Sequence, residues 1–578
     1  MINYVCEKCN LECSTSTCPI CNERTIGKSK IFWCKNCNIP TYDEICKCCG
    51  GKGIYISTDI RPVFPEERLL LEVLIGEPFK FANCSVWNGQ GNRYIVDGKK
   101  INLTVKDLMV KPPKKVIQQL QENEKDNKVT YESFNKYIDR FIEVNKDRYN
   151  NIVTEATDYI IDQKAGYNDD EMFVSFSGGK DSTVVSDLVI KALGKPEIIH
   201  VFGDTTLEFP MTMVYANRFK KNNIRTPLLS AKNKEKNFYD LCDVVGPPSR
   251  VMRWCCIIFK TGAITKKIST IFKDKTKVLT FYGIRRSESV SRSKYDRTSD
   301  SPKITKQKVA SPIIDWYDFD IWLYLLTTKI DFNDAYRLGY SRVGCWCCPN
   351  NSTWSQYLAS IYMPEEHEKW RNQLIRFAKS VGKPDPEEYI DGGNWKARQG
   401  GNGVKYSEKT FVKFKPCADE AEAINYELKK EITEELYEFF KPFGWVNKDM
   451  GNNRLGEVYI VDKNNNPILR LQGRIGSKNL KISIIKLPFK CRSLKEAKSK
   501  VDCQITKYQM CLGCLACESV CKHDAVKVKK AAHENEIVFK TGESYKIYDD
   551  KCKRCGECVS HFDGGCYMRK VLITKRGE

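Results

Sequence analysis

The residues best suited to chemistry in this chain are of two kinds. One is a loop, Ser177-Gly178-Gly179-Lys180-Asp181-Ser182. Its two glycines let backbone N–H groups come close to an anion, while two hydroxyls and an ammonium add donors. Asp181 adds a carboxylate able to place Mg²⁺ on leaving phosphates. The other kind is thiol. The sequence holds 28 cysteines and five histidines, and most of the cysteines stand in Cys-x2-Cys pairs. In a long, Lys-rich chain such pairs read as metal ligands or redox pairs, unlike the scattered cysteines of a small secreted disulfide scaffold. With so few imidazoles, sulfur must supply nearly every ligand, and all-thiolate sites select zinc or iron–sulfur clusters. A reducing compartment, the cytoplasm, is the expectation.

The thiols divide into three groups. Cys6, Cys9, Cys18 and Cys21 read C-x2-C-x8-C-x2-C, and Cys34, Cys37, Cys46 and Cys49 repeat that spacing. Each pair offers two thiolates on a tight turn and two pairs complete a tetrahedron, which predicts two closed zinc ribbons. Rubredoxin-like iron is the rival occupant, and Cys48 could exchange with Cys49. Contact with nucleic acid or protein, and plain support of the fold, both stay open for this part. At the other end, Cys511-x2-Cys514-x2-Cys517-x3-Cys521 has the bacterial ferredoxin spacing, followed by Cys552, Cys555, Cys558 and then Cys566. In two-cluster ferredoxins the fourth cysteine of each run ligates the other cluster. That rule gives Cys511, Cys514, Cys517 and Cys566 to one [4Fe–4S] cluster, and Cys552, Cys555, Cys558 and Cys521 to the other. Lys522 stands where such a run usually has proline. The middle group is Cys255-Cys256 with Cys345 and Cys348. Eight cysteines are left over: Cys13, Cys48, Cys84, Cys242, Cys347, Cys417, Cys491 and Cys503.

These residues need elements to position them. Phe173 to Phe176 reads as a buried strand and Thr183 to Ala192 as a helix, so the glycine loop lies at a strand-to-helix turn where the helix dipole favours negative charge. A further strand, Glu197 to Phe202, precedes Asp204-Thr205-Thr206. His200, at that strand's end, reads as a packed histidine. The 578 residues suffice for about four domains, and the sequence divides as 1–55, two zinc ribbons; 56–115, a small β-rich unit with a hairpin at Asp97-Gly98; 116–168, a charged helical connector; 169–395, the α/β unit with the loop; 396–500, a small α+β unit with an acidic helix Asp419 to Phe440 and a hairpin around Asn464 to Asn466; and 501–578, the ferredoxin-like module. Mean hydropathy is −0.47, no stretch reaches a roughly 20-residue apolar span, and no secretory signal stands at the start, so a membrane protein is excluded. The charge of +21 favours association with nucleic acid only weakly, since a lysine-rich composition gives it alone.

The loop resembles the PP-loop of the ATP pyrophosphatase and adenylyl-sulfate reductase superfamily. Asp204-Thr205-Thr206-Leu207-Glu208-Phe209-Pro210 is similar to that superfamily's Asp-Thr-Gly-x-x-Phe-Pro element, with Thr206 in place of glycine. Gly283-Ile284-Arg285-Arg286 through Arg292 resembles its arginine segment, and Trp316 with Asp320-Ile321-Trp322 its Trp-x3-Asp-Val-Trp helix. The Cys-Cys pair and the later Cys-x2-Cys resemble the cluster signature of plant and bacterial adenylyl-sulfate reductases. The 56–115 unit is similar to PUA-type RNA-binding domains. The resemblance implies a parallel α/β PP-loop core. It implies a nucleotide site at Ser177, Gly178, Gly179, Lys180, Asp181, Ser182, Asp204, Thr205, Arg285, Arg286 and Arg292. It also implies a third [4Fe–4S] cluster on Cys255, Cys256, Cys345 and Cys348, with structural zinc as the rival occupant there. Lys180, Asp181, Arg285 and Arg286 are the expected catalytic residues, and Cys347, beside the cluster, is a candidate reactive thiol.

Two functions follow. In the first, the enzyme reduces an adenylyl sulfate (APS or PAPS) to sulfite and adenine nucleotide, with electrons from an external donor entering through the ferredoxin-like module. In the second, it uses ATP and Mg²⁺ to adenylate tRNA or DNA and insert sulfur. The intact loop favours the second. So do the zinc ribbons, the PUA-like unit and the charge. Thioredoxin-dependent reductases carry a tail cysteine in a Cys-Gly-Leu-His-like sequence, whereas Cys417 stands in Lys415-Pro416-Cys417-Ala418. An electron wire through the ferredoxin-like module could replace that thioredoxin route. The arginines, cysteine pairs and electron wire favour the first, which is the expectation carried forward.

Overall fold

The structure, a computed structural model, describes residues 3–6, 9, 11–13, 18–21, 26–234, 236–301, 307–398, 412–488, 491–511, 516–528 and 545–560. The glycine loop follows strand β1 (Met172–Phe176), which is buried along nearly its whole length, as a central parallel strand covered by helices on both faces must be. Helix α1 (Lys180–Leu193), strand β2 (Ile199–Asp204), helix α2 (Pro210–Asn222) and strand β3 (Leu228–Lys232) come next. After helix α3 (Gly262–Ile271) come strands β4 (Val278–Tyr282), β5 (Thr298–Asp300) and β6 (Gln307–Ala310), then helix α4 (Asp318–Thr328). The sheet order is β3-β2-β1-β4-β6-β5. All pairings are parallel except that of the edge strand β5 with β6. This is the parallel α/β core expected from the sequence. Strand order reverses between β1 and β4, and the crevice beyond the carboxyl ends of such a pair is where a doubly wound sheet receives its ligand. Ser177–Ser182 lies there.

Each face of the sheet has its own core. On one, Val174, Val185, Leu188, Phe281 and Trp322 pack with Phe141 and Ile160 from the helices Lys128–Val144 and Lys146–Lys164. On the other, Val201, Ile264 and Ile268 pack under α3, and Phe176, Phe202 and Phe219 under α2. Burying one such side chain contributes about 1.5–3 kcal/mol.

The flanking units depart from the sequence reading in three places. Residues 60–100 form a four-stranded antiparallel sheet, and Asp97 and Gly98 turn its last hairpin with φ of 48° and 77°. The structure adds a buried helix, Pro65–Ile75, held by Arg61 donating to Glu67 at 2.6 and 2.7 Å. Second, the acidic helix expected over Asp419 to Phe440 is corrected. Ala423–Glu427 is a strand paired on both sides, with Lys413–Pro416 and with Asn479–Ile484, and only Glu435–Glu438 makes a helical turn. Two-sided pairing and the burial of Ala423, Ile424 and Tyr426 outweigh the helix propensity of the surrounding Glu and Ala. The strand belongs to a six-stranded antiparallel sheet, in which Glu457–Val461 and Pro467–Gln472 flank the three asparagines. Third, the boundary at 500 falls inside a continuous helix, Leu494–Met510, which shares one core with that sheet and with the C-terminal segment. Among the described residues no helix is long and apolar enough to cross a membrane.

Candidate functional site

The loop is shaped before any ligand arrives. Gly178 has φ of 70°, and a Cβ there would stand 2.8 Å from Thr212 Cγ2. Gly283, just past β4, lies against the Asp181–Ser182 backbone, where a Cβ would approach to 2.7 Å. Only glycine lets the two strand ends close on each other. Ser182 Oγ accepts from the Ser177 N–H at 3.1 Å and donates to the Gly179 carbonyl at 2.9 Å. Tyr336 Oη accepts from the Lys180 N–H at 3.0 Å, and Asn333 donates to the Gly178 carbonyl at 3.0 Å.

Behind the loop the charged side chains turn on one another. Lys180 Nζ lies 3.3 Å from both Asp181 Oδ2 and Asp318 Oδ1. Arg285 donates through Nε to Asp181 Oδ1 and through Nη2 to Asp318 Oδ1, the latter at 2.6 Å. The Lys180 and Arg285 side chains are each only 4% exposed. Burial works to raise both carboxyls, but the Arg285 and Lys180 charges outweigh it, holding Asp181 below its ordinary value and Asp318 at about 2. Lys180, Asp181 and Arg285 are therefore brought together as expected, and Asp318 joins them. Asp181 Oδ1 is engaged by Arg285 and Oδ2 by Lys180. The Arg285 fork is taken up by carboxylates, as a buried guanidinium requires. Asp59, from the N-terminal part, completes the network by accepting from the N–H groups of Asp318 and Phe319 at 3.0 Å each, capping α4. Burial first, and the Asp318 charge second, push the Asp59 carboxyl up to about 7.

The other arginines lie apart. Arg286 pairs with Asp315 and donates to the Tyr295 carbonyl. Arg292 pairs with Glu288, and burial together with the like charge of Arg342 lowers its pKa. Asp204 Oδ1 accepts from the Thr206 N–H at 2.9 Å, and Thr206 takes up φ of 64° where the resembling element has glycine. Thr205 is fastened to Glu208 through its N–H and hydroxyl, and its Oγ1 lies 3.5 Å from Cys345 Sγ.

That last contact joins the loop region to the central thiols. The Cys345 turn docks on the β2–α2 connection through Phe209 N–H to Gly344 O at 3.3 Å and Trp346 N–H to Leu207 O at 2.9 Å. Cys255 stands directly before a π-helical turn, Cys256–Thr261. Its thiol bonds to Cys256 and feels the charge of Cys345, while Cys348 feels that of Cys256. Among the described residues only two thiol groups draw their ligand atoms within 4.8 Å of one another: Cys34, Cys37, Cys46 and Cys49, and Cys9, Cys18 and Cys21. The central four are spread wider than one ion requires. Three exposed cations without a carboxylate partner among the described residues face them: Lys260 acts on Cys345, and Arg253 and Arg342 on Cys348. Arg342 and Asp318 were missed in the sequence. Arg342 stands three residues before Cys345, which could have singled it out.

Cys347, expected as a reactive thiol, is 4% exposed in an apolar cluster with Cys242, Trp254 and Trp370, and burial pushes its thiol well up, the setting of a core cysteine. His200 is buried as read, with Nε2 2.8 Å from Ser186 Oγ and Nδ1 2.8 Å from the Ile198 carbonyl.

At the N-terminus, Cys34 Sγ lies 3.4 Å from Cys49 Sγ and Cys37 Sγ 3.7 Å from Cys46 Sγ, with the Cys37 N–H aimed at Cys34 Sγ. Four sulfurs at that spacing fit one tetrahedral ion. Cys48 is exposed outside the set. Cys6 ends the strand Asn3–Cys6; its side chain lies outside the described residues. At the C-terminus Cys514 and Cys566 lie outside them too. Of the rest, Cys511, Cys517, Cys521, Cys552 and Cys558 gather at one core, and the charge of Cys521 is felt at both Cys552 and Cys558, with Cys555 beside Cys552. The short helix Ala516–Ser519 packs on the π-helical turn after Cys255 and on α3.

Comparison with known proteins points to the same region. Residues 171–351 match the phosphoadenosine phosphosulfate reductase domain. An uncharacterized protein of Methanocaldococcus jannaschii is 27% identical over 475 residues, which span 64% of this chain and 97% of that protein. The adenosine 5′-phosphosulfate reductase of Shouchella clausii is 23% identical over 185 residues, 31% of this chain and 71% of that enzyme. A crystal structure of phosphoadenylyl-sulfate reductase from Candida auris in a phosphate complex aligns with 36% of this chain and 96% of its own, at 12% identity and a TM-score of 0.28.

Proposed function

We propose that this chain, which carries a phosphoadenosine phosphosulfate reductase domain over residues 171–351, reduces an adenylyl sulfate to sulfite and adenine nucleotide with electrons entering through its C-terminal module. One observation carries this reading. The loop mouth and the central thiols share a border, where Thr205 meets Cys345, and the cations Lys260, Arg253 and Arg342 stand there. A nucleotide bearing a sulfate would place its phosphate at the loop and the amino end of α1, and its sulfate among these cations.

The residues present fit the groups this requires. Cys255, Cys256, Cys345 and Cys348 are all sulfur donors spread wider than a single ion allows, which suits a [4Fe–4S] cluster. Cys34, Cys37, Cys46 and Cys49 fit zinc, as do Cys9, Cys18 and Cys21 with Cys6. The six described C-terminal cysteines, with Cys514 and Cys566, would hold two further clusters. A cluster at the central site supplies one-electron transfer beside the sulfate. The chain's own residues do the rest. The Ser177–Ser182 loop fixes the phosphate, and Lys180 and Arg285 hold Asp181 and Asp318 so that the loop stays rigid. The three cations stabilise charge as the sulfur–oxygen bond to the bridging oxygen breaks. The nucleotide departs with that oxygen, and two electrons from an external one-electron donor take the sulfur from sulfate to sulfite.

The test uses full-length protein reconstituted anaerobically with iron and sulfide, plus a low-potential reductant. One arm offers APS or PAPS and measures sulfite; the other offers ATP, sulfide and bulk RNA or DNA, and measures pyrophosphate and incorporated sulfur. Sulfite formation without ATP is expected, abolished by Cys255→Ala together with loss of the central iron. Pyrophosphate released only with nucleic acid would overturn the reading in favour of thiolation.

A further inference from the structure

One buried charge in the C-terminal module has no carboxylate to meet it. Along helix Leu494–Met510 every residue from Cys503 to Met510 is buried, and Lys507 is 1% exposed. Its Nζ donates to Tyr545 Oη at 3.2 Å, to the Cys558 carbonyl at 3.3 Å, and to the Cys517 thiol. The rings of Tyr545 and Phe439 stack 4.3 Å apart over it, with the ammonium 5.0 and 6.0 Å from their centres. The nearby carboxylates are engaged elsewhere: Glu435 pairs with Lys430 at 2.7 Å and receives the Tyr545 N–H, and Glu438 pairs with Lys441 at 3.0 Å and receives the Ile547 N–H. A buried ammonium facing only neutral groups costs several kcal/mol, so such a residue persists where an anion faces it. The acidic groups against it are Cys517 and Cys558, one from each cysteine run, and the Tyr545 phenol. A sulfur bound to a cluster carries the negative charge that is needed.

We infer that Lys507 is the built-in counter-charge of the terminal cluster ligated through Cys517, and that it favours the reduced state of that cluster. The inference rests on the proposed reading that this module holds iron–sulfur clusters. Reduction adds one negative charge, and an ammonium hydrogen-bonded to a ligand sulfur stabilises that charge in a dry, low-dielectric surround. The position is significant because Ala516–Ser519, which carries Cys517, packs on the turn that follows Cys255. Lys507 thus acts as a tuning residue at the end of the module nearest the central thiols.

The experiment compares full-length wild type with Lys507→Met, which keeps the stem and loses the charge, and Lys507→Gln, which keeps a donor without charge. Iron content is measured, and the terminal clusters are titrated by electron paramagnetic resonance at fixed potentials. At the wild-type midpoint the reduced-to-oxidised ratio of one terminal cluster falls at least tenfold in Lys507→Met, a shift of about 59 mV for a one-electron couple. Iron content stays unchanged, and Lys507→Gln shifts in the same direction by less. Unchanged midpoints in both variants with full iron would overturn the role of Lys507 and leave the cluster reading standing. If Lys507→Met fails to hold iron, an unshifted Lys507→Gln overturns it alone. Wild-type protein with no iron beyond the central cluster would sink the cluster reading and this inference together.

Discussion

Asp318→Asn probes the point where three parts of the chain meet. Asp318 Oδ1 serves Arg285 Nη2 at 2.6 Å and Lys180 Nζ at 3.3 Å, while its N–H is held by Asp59. The amide keeps the shape and an acceptor oxygen but removes the charge, so two buried cations are left with one carboxylate, Asp181. Taking one partner from a buried pair costs about 3–5 kcal/mol. With Asp181 and the acceptor oxygen retained, the low end, about 3 kcal/mol, applies at pH 5.5. Asp59 makes the loss pH-dependent. At pH 5.5 the Asp59 carboxyl, held near 7 in the wild type, is neutral there. In the variant burial still raises it and keeps it mostly protonated, but loss of the Asp318 charge, the second cause of the rise, lowers it below its wild-type value. At pH 8 it is ionised, and without Asp318 to repel it, it faces Arg285 as a substitute. The wild type moves the other way. A carboxyl raised from 3.8 to about 7 on folding contributes stability that is whole below its unfolded value and is lost as pH rises through its folded one. Above pH 7 the difference between variant and wild type is therefore smaller than at pH 5.5, by about 1.4 kcal/mol for each unit by which Asp59 drops in the variant. Urea unfolding at the two pH values, with hydrogen exchange in α1 and α4 as the local readout, measures it. A loss below about 1 kcal/mol at pH 5.5, or an equal loss at both pH values, would refute the charge accounting.

Three other outcomes are expected. His200 is held by burial at about 4 against an ordinary 6.5, so its contribution is whole above 6.5 and is lost as pH falls toward 4; His200→Gln should flatten that acid limb by up to about 3 kcal/mol in urea midpoints. Thr206 is a β-branched residue at φ of 64°, and Thr206→Gly should gain about 1 kcal/mol, a rise of about 2–4 °C in the melting of the central unit. Cys37→Ser should lower bound zinc by one equivalent per chain in elemental analysis while leaving iron unchanged. It should also loosen the helix Lys128–Val144, whose Arg140 donates to the Cys37 carbonyl; zinc held at the wild-type level would refute the site.

What could be read from the sequence was local. Ser177–Ser182 is a strand, a turn and a helix start within one short stretch, and its glycines and hydroxyls announce themselves by type. The Cys-x2-Cys pairs are equally local. What escaped was decided by partners far along the chain. Nothing near Asp59 indicates that it caps a helix 259 residues later. Arg285 looked like an anion grip because arginines in series suit oxyanions, and only the fold shows its guanidinium committed to Asp181 and Asp318. The Asp419–Phe440 segment has the composition of a helix, but neighbours on both sides made Ala423–Glu427 a strand. Cys347 was marked out by its neighbours in sequence, whereas its reactivity depends on the tryptophans around it in space.

Helix Leu494–Met510 has a consequence for kinetics. Because it is continuous across the middle of its core and ends with Met510 against Trp254 and Cys347, the C-terminal module is moored to the central unit instead of meeting it by diffusion. On the proposed reading, passage of an electron between them is a first-order event whose rate does not change with protein concentration. Turnover would then follow the supply of external reductant alone, and adding the C-terminal segment back as a separate polypeptide could reproduce it only at the effective concentrations, of order millimolar, that covalent attachment provides.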